Sequence, residues 1–321
     1  MNLSESALEP GLLSDKAVFR EESAGYPSIS ASIGLISTDK TDEIRLLSRE
    51  EAAELKLAFM DAFYAAFWRG DAILSPLGAD RVHAWPGNKT LAFVQNWKAE
   101  KAFKNSWGLD DLVLAVAPRN IPRVSLVKGP LLNAFGLGEG EGRANGVQGY
   151  GAPLTDEYSY KEGRAQRFEK GLLVVEASGN RLFIPEKAPS EDADIDPAIG
   201  LSSDTRLSAQ FRAAYLVGLN LGLPALSAAG PLRLVPLSPR QGIPVEGVWI
   251  QELGSDWALL APLIAGRVLR PCILAKPFLS LFLSKGSWES SLAFFGVPLS
   301  DPFPQESRVL QRFSQGFMEQ K

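Results

Sequence analysis

Apolar side chains recur at intervals of four residues in two parts of the chain, which is the spacing of one face of an α-helix. The two runs are Leu55, Phe59, Phe63 and Phe67, and later Leu207, Phe211, Tyr215 and Leu219. Ser48 and Glu51 form an S-x-x-E capping box just before the first run. We therefore predict one helix over residues 48–69 and a second over residues 205–220.

Segments built on the pattern Gln-x-aromatic predict β-strands. Residues 164–176 include the β-branched Val174 and Val175, and a break at Gly171 indicates a bulge or hairpin corner. Residues 246–253 and 308–313 are the corresponding segments further along. Ser178-Gly179-Asn180 stands between two strand-like runs and predicts a hairpin turn.

These elements belong to a motif that occurs four times, in which a helix leads to a Gly turn and then to the Gln-centred strand. The two clear copies are Gly151-Ala152-Pro153-Leu154 with Gln166-Arg167-Phe168, and Gly296-Val297-Pro298-Leu299 with Gln311-Arg312-Phe313. Looser copies are Gly222-Leu223-Pro224 with Gln251, and Leu77-Gly78 with Gln95. Such units cannot bury their apolar faces alone. The predicted fold is therefore α+β, with about four helix-plus-hairpin repeats stacked as a ring or a short solenoid.

The repeats set the predicted domain boundaries. Residues 1–45 form an extended N-terminal arm, in which residues 28–37 partly alternate and could pair as a strand. Residues 46–186 hold repeats 1 and 2, and residues 201–321 hold repeats 3 and 4. Residues 187–200, rich in acidic residues and proline, are predicted to be the linker between the two pairs.

Composition argues against several classes of partner. The formal net charge of −4 provides no basic field for nucleic acid. No stretch approaches the length of uninterrupted apolar sequence that a membrane-spanning helix requires, and no signal peptide is visible near the N-terminus. The single cysteine, Cys272, lies in an apolar neighbourhood and is predicted to be a small buried hydrophobe.

The chain offers little material for catalysis. One histidine, His83, leaves no evident base for a Ser or Cys nucleophile, and neither a zinc ligand set nor a cofactor motif is present. A glycan hydrolase stays open, because its two carboxylates need not be close in sequence. The candidates for that pair are Asp110, Asp111, Glu157 and Glu176. Asp156 and Asp301 follow the two clear turns at matching positions, which is equally explained by a structural role in each repeat.

The turn and strand motifs of the two clear copies resemble the LGFP-type repeats of bacterial surface and secreted proteins. The pattern that carries the resemblance is the turn at Gly151 or Gly296, the Gln-x-aromatic strand, and a following Gly at 171 or 316. The resemblance implies a non-catalytic protein that binds cell-wall material or glycan at the envelope. It also implies a surface or secreted location, although no signal peptide is visible.

Six residues are candidates for binding: Trp85, Trp107, Tyr150, Tyr158, Gln166 and Gln311. Trp85 and Trp107 are flanked by Pro or Gly and are the tryptophans most expected at the surface, where flat rings can stack on sugars. For the two glutamines, the competing prediction is a structural one, in which the amide bonds a neighbouring backbone turn.

The sequence thus favours a non-enzymatic repeat protein for binding or assembly at a bacterial envelope, with glycan as the favoured ligand. Two alternatives stay open. One is a structural subunit of a filament, virion or surface layer, with homo-oligomer contacts through the N-terminal arm and the apolar first helix. The other is a glycan hydrolase with an unrecognised carboxylate pair.

Overall fold

The computed structural model describes residues 17–21, 48–69, 73–76, 83–86, 91–99, 112–118, 123–135, 149–161, 163–191, 193–238, 245–305 and 308–320. Over these residues the protein is mixed α+β and mostly β-structure, with four antiparallel sheets and five α-helices. The α+β class predicted from the sequence is therefore confirmed. The predicted strand at residues 28–37 lies outside the described residues.

The two helices predicted from the sequence begin and end close to their predicted positions, and the described chain contains five α-helices in all. They are α1 (Arg49–Trp68), α2 (Gly129–Phe135), α3 (Thr205–Asn220), α4 (Phe278–Phe282) and α5 (Trp288–Phe295). The capping box at Ser48 and Glu51 is present at the start of α1. Asp204 caps α3, because its carboxylate accepts from the amides of Arg206 and Leu207. Both long helices predicted from the apolar spacing are confirmed.

The strands form four sheets, which we number by the order of their motif glutamines along the chain. Sheet 1 contains β2 (Ile73–Pro76), β3 (His83–Pro86), β4 (Leu91–Ala99), β5 (Leu112–Pro118) and β6 (Ser125–Lys128). Sheet 2 contains β7 (Tyr158–Tyr160), β8 (Gly163–Phe168), β9 (Gly171–Val175) and β10 (Arg181–Pro185). Sheet 3 contains β11 (Arg233–Pro236), β12 (Val245–Leu253), β13 (Trp257–Ile264), β14 (Arg267–Val268) and β15 (Cys272–Ala275). Sheet 4 contains β1 (Ala17–Glu21), β16 (Phe303–Gln305), β17 (Arg308–Phe313) and β18 (Gly316–Gln320).

Each sheet holds one motif glutamine, and in three sheets the turn before it is built alike. An isolated bridge joins Pro153 to Phe168, and the same bridge joins Pro298 to Phe313. In sheet 3 the corresponding bridge joins Ala228 to Leu253. The sequence had assigned this turn to residues 222–224, which is wrong. Gly222 instead follows the C-terminus of α3 with a left-handed φ of 87°, the conformation that ends helices and favours glycine.

The N-terminal strand β1 completes sheet 4. It pairs with β18 in an antiparallel ladder, with Phe19 opposite Met318. In sheet 2 the corresponding edge strand is β10, in which Phe183 lies opposite Leu173. The ring of Phe19 packs edge-on against Phe295 with ring centroids 4.8 Å apart. The described part of the predicted arm is therefore bound within its own chain, whereas the sequence had offered the arm as an intermolecular contact.

The apolar faces of the sheets are buried in shared cores. One core joins α1 and parts of sheets 1, 3 and 4, a second joins sheets 1 and 2 around α2, and a third lies between α3 and sheet 3. The residue two positions after each motif glutamine is fully buried in these cores: Trp97, Phe168, Leu253 and Phe313. Phe67 departs from its predicted face and is 37% exposed, because it lies on the side of α1 that faces away from the core.

Residues of the predicted 187–200 linker pack on sheet 3. The Asp196 carboxylate accepts hydrogen bonds from the amides of Ala198 and Ala228. Gly200 donates its amide hydrogen to the Gln251 side chain at 2.6 Å. These bonds tie the end of the segment to the third repeat. In the described chain, no helix has both the length and the hydropathy required to cross a bilayer.

Candidate functional site

The motif glutamines lie in the core and bond backbone groups. Gln166 Nε2 donates to the carbonyl oxygens of Leu126 and Thr155 at 3.0 and 2.8 Å. Gln311 repeats both bonds, to Ile273 and Ser300 at 2.7 and 3.0 Å. Both side chains are fully buried. Neither amide can reach a ligand at the surface of this structure, so we remove Gln166 and Gln311 from the binding candidates and assign them the structural role.

Two of the aromatic candidates can be placed by their side chains, and one of them belongs to the core. Tyr150 packs between Phe168 and Phe183, with ring centroids 5.9 and 4.7 Å away. Its hydroxyl lies 3.4 Å from the carbonyl oxygen of Ala134. Trp85 lies in β3, where its backbone pairs with Ala92, and its side chain is not among those described. Trp107 lies outside the described residues.

Tyr158 is the candidate that reaches a distinctive surface. It lies in β7 on the outer face of sheet 2, directly opposite Ala165 of β8. Burial raises the pKa of its phenol to about 12, although the neighbouring Arg167 guanidinium acts in the opposite direction. The phenol is therefore protonated at neutral pH and is suited to hydrogen bonding rather than to acid–base catalysis.

The outer face of sheet 2 carries an apolar cluster beside the ion pair of Arg167 with Glu186. Because side chains alternate along a strand, Gln166 and Phe168 point to the inner core whereas Ala165 points outward. Leu172 and Val174 of β9 lie with Ala165, and the partly buried side chains around them are Tyr158, Tyr160 and Ile184. Ala165, Leu172 and Val174 are themselves buried, so the apolar groups that this face exposes are the partly buried side chains around them and Leu182.

A hollow of about 480 Å³ lies on this face, and we call it the Tyr160 hollow. Its lining consists of Tyr160, Lys161, Gly163, Val174, Glu176, Ala177, Ser178, Leu182 and Ile184. Leu182 is 50% exposed although it is a large apolar side chain. The volume falls within the range of about 300–1,000 Å³ that is usual for small-molecule sites. Aromatic, aliphatic and charged groups therefore meet in one open concavity.

The floor of the hollow depends on a glycine. A Cβ at Gly163 would lie 2.9 Å from Cα of Glu176 and would also collide with the carbonyl oxygen of Val175. The close approach of β9 therefore requires glycine at this position. Because Gly163 carries no side chain, the space above it stays open between Tyr160 and Val174.

Sheet 4 shows what happens when the same positions carry charged side chains. In the strand register, Arg308 takes the place of Gly163, because it pairs with Gln305 as Gly163 pairs with Tyr160. Glu319 takes the place of Val174. The Glu319 carboxylate binds Arg20 at 3.0 Å and Arg308 at 3.1 Å, and its side chain is 1% exposed. The Glu319 ion network therefore covers this part of sheet 4, whereas sheet 2 has no charged side chain at either of these two positions.

Two charged groups lie at the rim of the Tyr160 hollow. The Lys161 ammonium lies 5.3 Å from the centroid of the Tyr160 ring. Within the part of the chain that the structure describes, no carboxylate pairs with this ammonium. Glu176 accepts from Ser178 Oγ and Asn180 Nδ2 through Oε2, both at 3.1 Å. Its Oε1 atom accepts no hydrogen bond in the described chain.

A second charged cluster is buried between the two halves of the chain. It consists of Arg69, Arg123, Arg270, Asp156 and Asp301. Arg123 pairs with Asp301, and Arg69 pairs with Asp156 at 2.6 Å. The Oδ1 atoms of Asp156 and Asp301 accept the amides of Leu126 and Ile273, both at 2.8 Å.

The electrostatics of this cluster indicate a structural role. The guanidinium groups of Arg69 and Arg270 and the amide of Leu126 outweigh burial and hold the pKa of Asp156 well below its usual range. Burial lowers the pKa of Arg123, against the opposing charge of Asp301. Burial also raises the pKa of the Cys272 thiol to about 12, so Cys272 is a neutral buried thiol, as the sequence predicted. The matching hydrogen bonds of Asp156 and Asp301 agree with the repeat-wise structural role that the sequence left open.

Among the described residues, the structure does not bring the candidate carboxylates for glycan hydrolysis together. Glu157 pairs with Arg164 at 2.6 Å on the inner side of sheet 2. Glu176 lines the Tyr160 hollow on the outer side. The sheet therefore separates these two carboxylates. Asp110 and Asp111 lie outside the described residues.

A smaller polar cleft of about 190 Å³ lies between α1 and α3. Asp61 lies at its base and is paired with Arg267. Burial raises the pKa of Asp61 to about 6, although Arg267, Arg206 and Arg270 act to lower it. Among the described side chains, no group of three His, Cys, Asp or Glu lies close enough to hold a metal ion.

Sequence reasoning missed Tyr160, Lys161 and the hollow between them. A signal was available in the alignment of the two clear copies, because Gly163 and Val174 fall opposite Arg308 and Glu319.

No protein-family model matches the chain, and no curated protein matches it.

Proposed function

We propose that the protein is a non-catalytic repeat protein that binds glycan at a bacterial envelope through the Tyr160 hollow. The observation that carries the proposal is the open apolar concavity on sheet 2, with an aromatic ring and unpaired polar atoms at its rim. Sugar rings have apolar faces that pack on aromatic rings, and hydroxyl edges that need polar partners. The resemblance of the two clear motif copies to LGFP-type repeats supports the envelope and the glycan.

We also propose that the four sheets are repeats of one unit, stacked in two pairs. The matched glutamine bonds of Gln166 and Gln311 support this arrangement. The shared cores between sheets, and the closure of sheet 4 by β1, support a stack that returns on itself. On this proposal the repeats are the scaffold, and sheet 2 is the copy that carries the hollow.

A glycan array followed by titration calorimetry tests the binding function. Tyr160→Gln introduces the residue that sheet 4 carries at the same register position, Gln305. We expect Tyr160→Gln to weaken binding about tenfold or more, equivalent to about 1.4 kcal/mol, because the aromatic platform is lost. Gln305→Ala is the matched control and should bind as wild type. Binding that survives Tyr160→Gln, or no binding to any glycan, would refute the proposal.

A further inference from the structure

We infer that the Tyr160 hollow binds a hexuronic acid, a sugar that carries a carboxylate, and this inference rests on the glycan-binding function proposed above. The inference concerns the ligand class rather than the location of the site. It depends on which polar atoms at the rim are already satisfied and which are not.

The cation at the rim has bonding capacity to spare. A lysine ammonium has three donors, and the only described partner of Lys161 is the Tyr160 ring at 5.3 Å. That distance is near the outer limit for a cation–π contact, so the attraction is weak. Lys161 also adopts a left-handed φ of 49° at the β7–β8 turn, which fixes the origin of its side chain beside Tyr160. A ligand carboxylate at this end would form a charge-assisted hydrogen bond with the ammonium.

The carboxylate at the rim, that of Glu176, already accepts hydrogen bonds through one of its two oxygens. Glu176 Oε2 is held by the Ser178 hydroxyl and the Asn180 amide of its own hairpin, which fixes the carboxylate. Oε1 is left to accept a hydrogen bond from a ligand. Sugar hydroxyls are donors of this kind, and a second carboxylate would be repelled here. The hollow therefore favours a ligand with a carboxylate at one end and hydroxyl donors at the other.

The apolar side chains that line the hollow match the C–H face of a uronic acid ring. Val174, Leu182 and Ile184 line the hollow on β9 and β10, beside the end of the sheet that carries the two charged groups. The C–H face of a pyranose ring can cover these side chains, whereas a fully extended polyanion would place further charges on them at a desolvation cost. One uronic acid residue within a glycan meets all three requirements.

The experiment compares oligogalacturonates with their methyl esters, which have the same backbone without the charge, on an array that also holds glucuronates and neutral glycans. We expect the free acids to bind at least tenfold more tightly than the esters, and the preference to fall as salt is added. Lys161→Asn should remove the preference, and asparagine is chosen because it tolerates a left-handed φ. Lys170→Asn makes the same charge change at the β8–β9 turn, outside the hollow, and should keep the preference.

The outcomes separate the two proposals. Equal binding of acids, esters and neutral glycans, all lost in Tyr160→Gln, would overturn the uronic acid and leave the glycan function standing. A preference for acids that survives Lys161→Asn would also overturn it. No binding to any member of the array would overturn both.

Discussion

Arg123 and Arg270 each bind the backbone of the residue that follows the other arginine. Arg123 donates through Nη1 to the carbonyl oxygen of Pro271, which follows Arg270, at 3.3 Å. Arg270 donates through Nη1 to the carbonyl oxygen of Val124, which follows Arg123, at 3.5 Å. Each arginine also pairs with an aspartate from the other half of the chain. The contact between the two halves of the chain is therefore approximately symmetric, because each half contributes an arginine and an aspartate that pair with those of the other half.

Removal of one aspartate carboxylate from this contact between the two halves should lower the stability of the protein. Asp301→Ala leaves Arg123 buried without its partner and also frees the amide of Ile273. We expect the free energy of unfolding to fall by about 3–5 kcal/mol, because an uncompensated buried charge remains. Chemical denaturation measures the change. Asp256→Ala breaks an exposed pair with Lys276 and should cost no more than about 1 kcal/mol, so equal losses in the two variants would contradict the expectation.

The motif glutamine should matter for stability rather than for binding. Gln311→Ala would leave the buried carbonyl oxygens of Ile273 and Ser300 without a donor. We expect a loss of about 2–4 kcal/mol, since each unsatisfied buried group costs about 1–3 kcal/mol. Gln315→Ala removes a long, exposed bond to Ala293 and serves as the control, with an expected change below about 1 kcal/mol. Thermal unfolding of both variants at one pH decides the matter.

Asp61 should give the protein a stability that declines between about pH 4 and pH 6. Its folded pKa of about 6 is raised above the ordinary value of 3.8, so the folded state holds the proton more tightly than the unfolded chain. The resulting stabilisation is complete below about pH 4 and is lost as the pH rises through 6. It amounts to up to about 3 kcal/mol, because one pKa unit corresponds to about 1.4 kcal/mol.

Denaturation of the wild type and of Asp61→Asn between pH 3.5 and 7 tests this pH dependence. Asparagine does not titrate, so the stability difference between wild type and variant should shrink or change sign as the pH rises over this interval. A constant difference across the interval would show that the pKa of Asp61 is the same in the folded and unfolded states, which would contradict the expectation.

Strand β1 should be replaceable by a separate peptide. Phe19→Ala removes the contact with Phe295, and we expect a loss of about 1–3 kcal/mol because Phe19 is only partly buried. A labelled peptide of residues 15–23 should bind a variant that lacks residues 1–22, with fluorescence anisotropy as the measurement. The same peptide carrying Phe19→Ala is the control, and equal binding of the two peptides would contradict the assigned register.

The sequence was most informative where a periodic signal coincides with burial. The four-residue spacing located α1 and α3, and the recurrence of Gln166 and Gln311 located two equivalent strands. Both signals are local, because helix faces and strand turns are set by neighbours in the sequence. The third turn was misplaced because its sequence lacks the Gly-x-Pro signature, although it repeats the isolated bridge and one of the two backbone hydrogen bonds of the other turns.

Long-range relationships could not be obtained in this way. Arg123 and Arg270 look like ordinary surface charges in the sequence, and only the approach of the two halves makes them buried partners. The pairing of β1 with β18 joins residues almost 300 positions apart, as the separation of 299 between Arg20 and Glu319 illustrates. The Tyr160 hollow depends on the lack of a side chain at Gly163. A single glycine changes no apolar periodicity, so the sequence pattern does not predict the hollow.

The position of β1 also bears on the order of events during synthesis. Residues 17–21 leave the ribosome early, yet their partner β18 is made after residue 315. Until then the Phe19 side chain has no site to enter, and afterwards sheet 4 has an unprotected edge until β1 arrives. Because non-local pairing forms slowly, we expect closure of sheet 4 to be a late step and the nascent chain to be most prone to aggregation just before it.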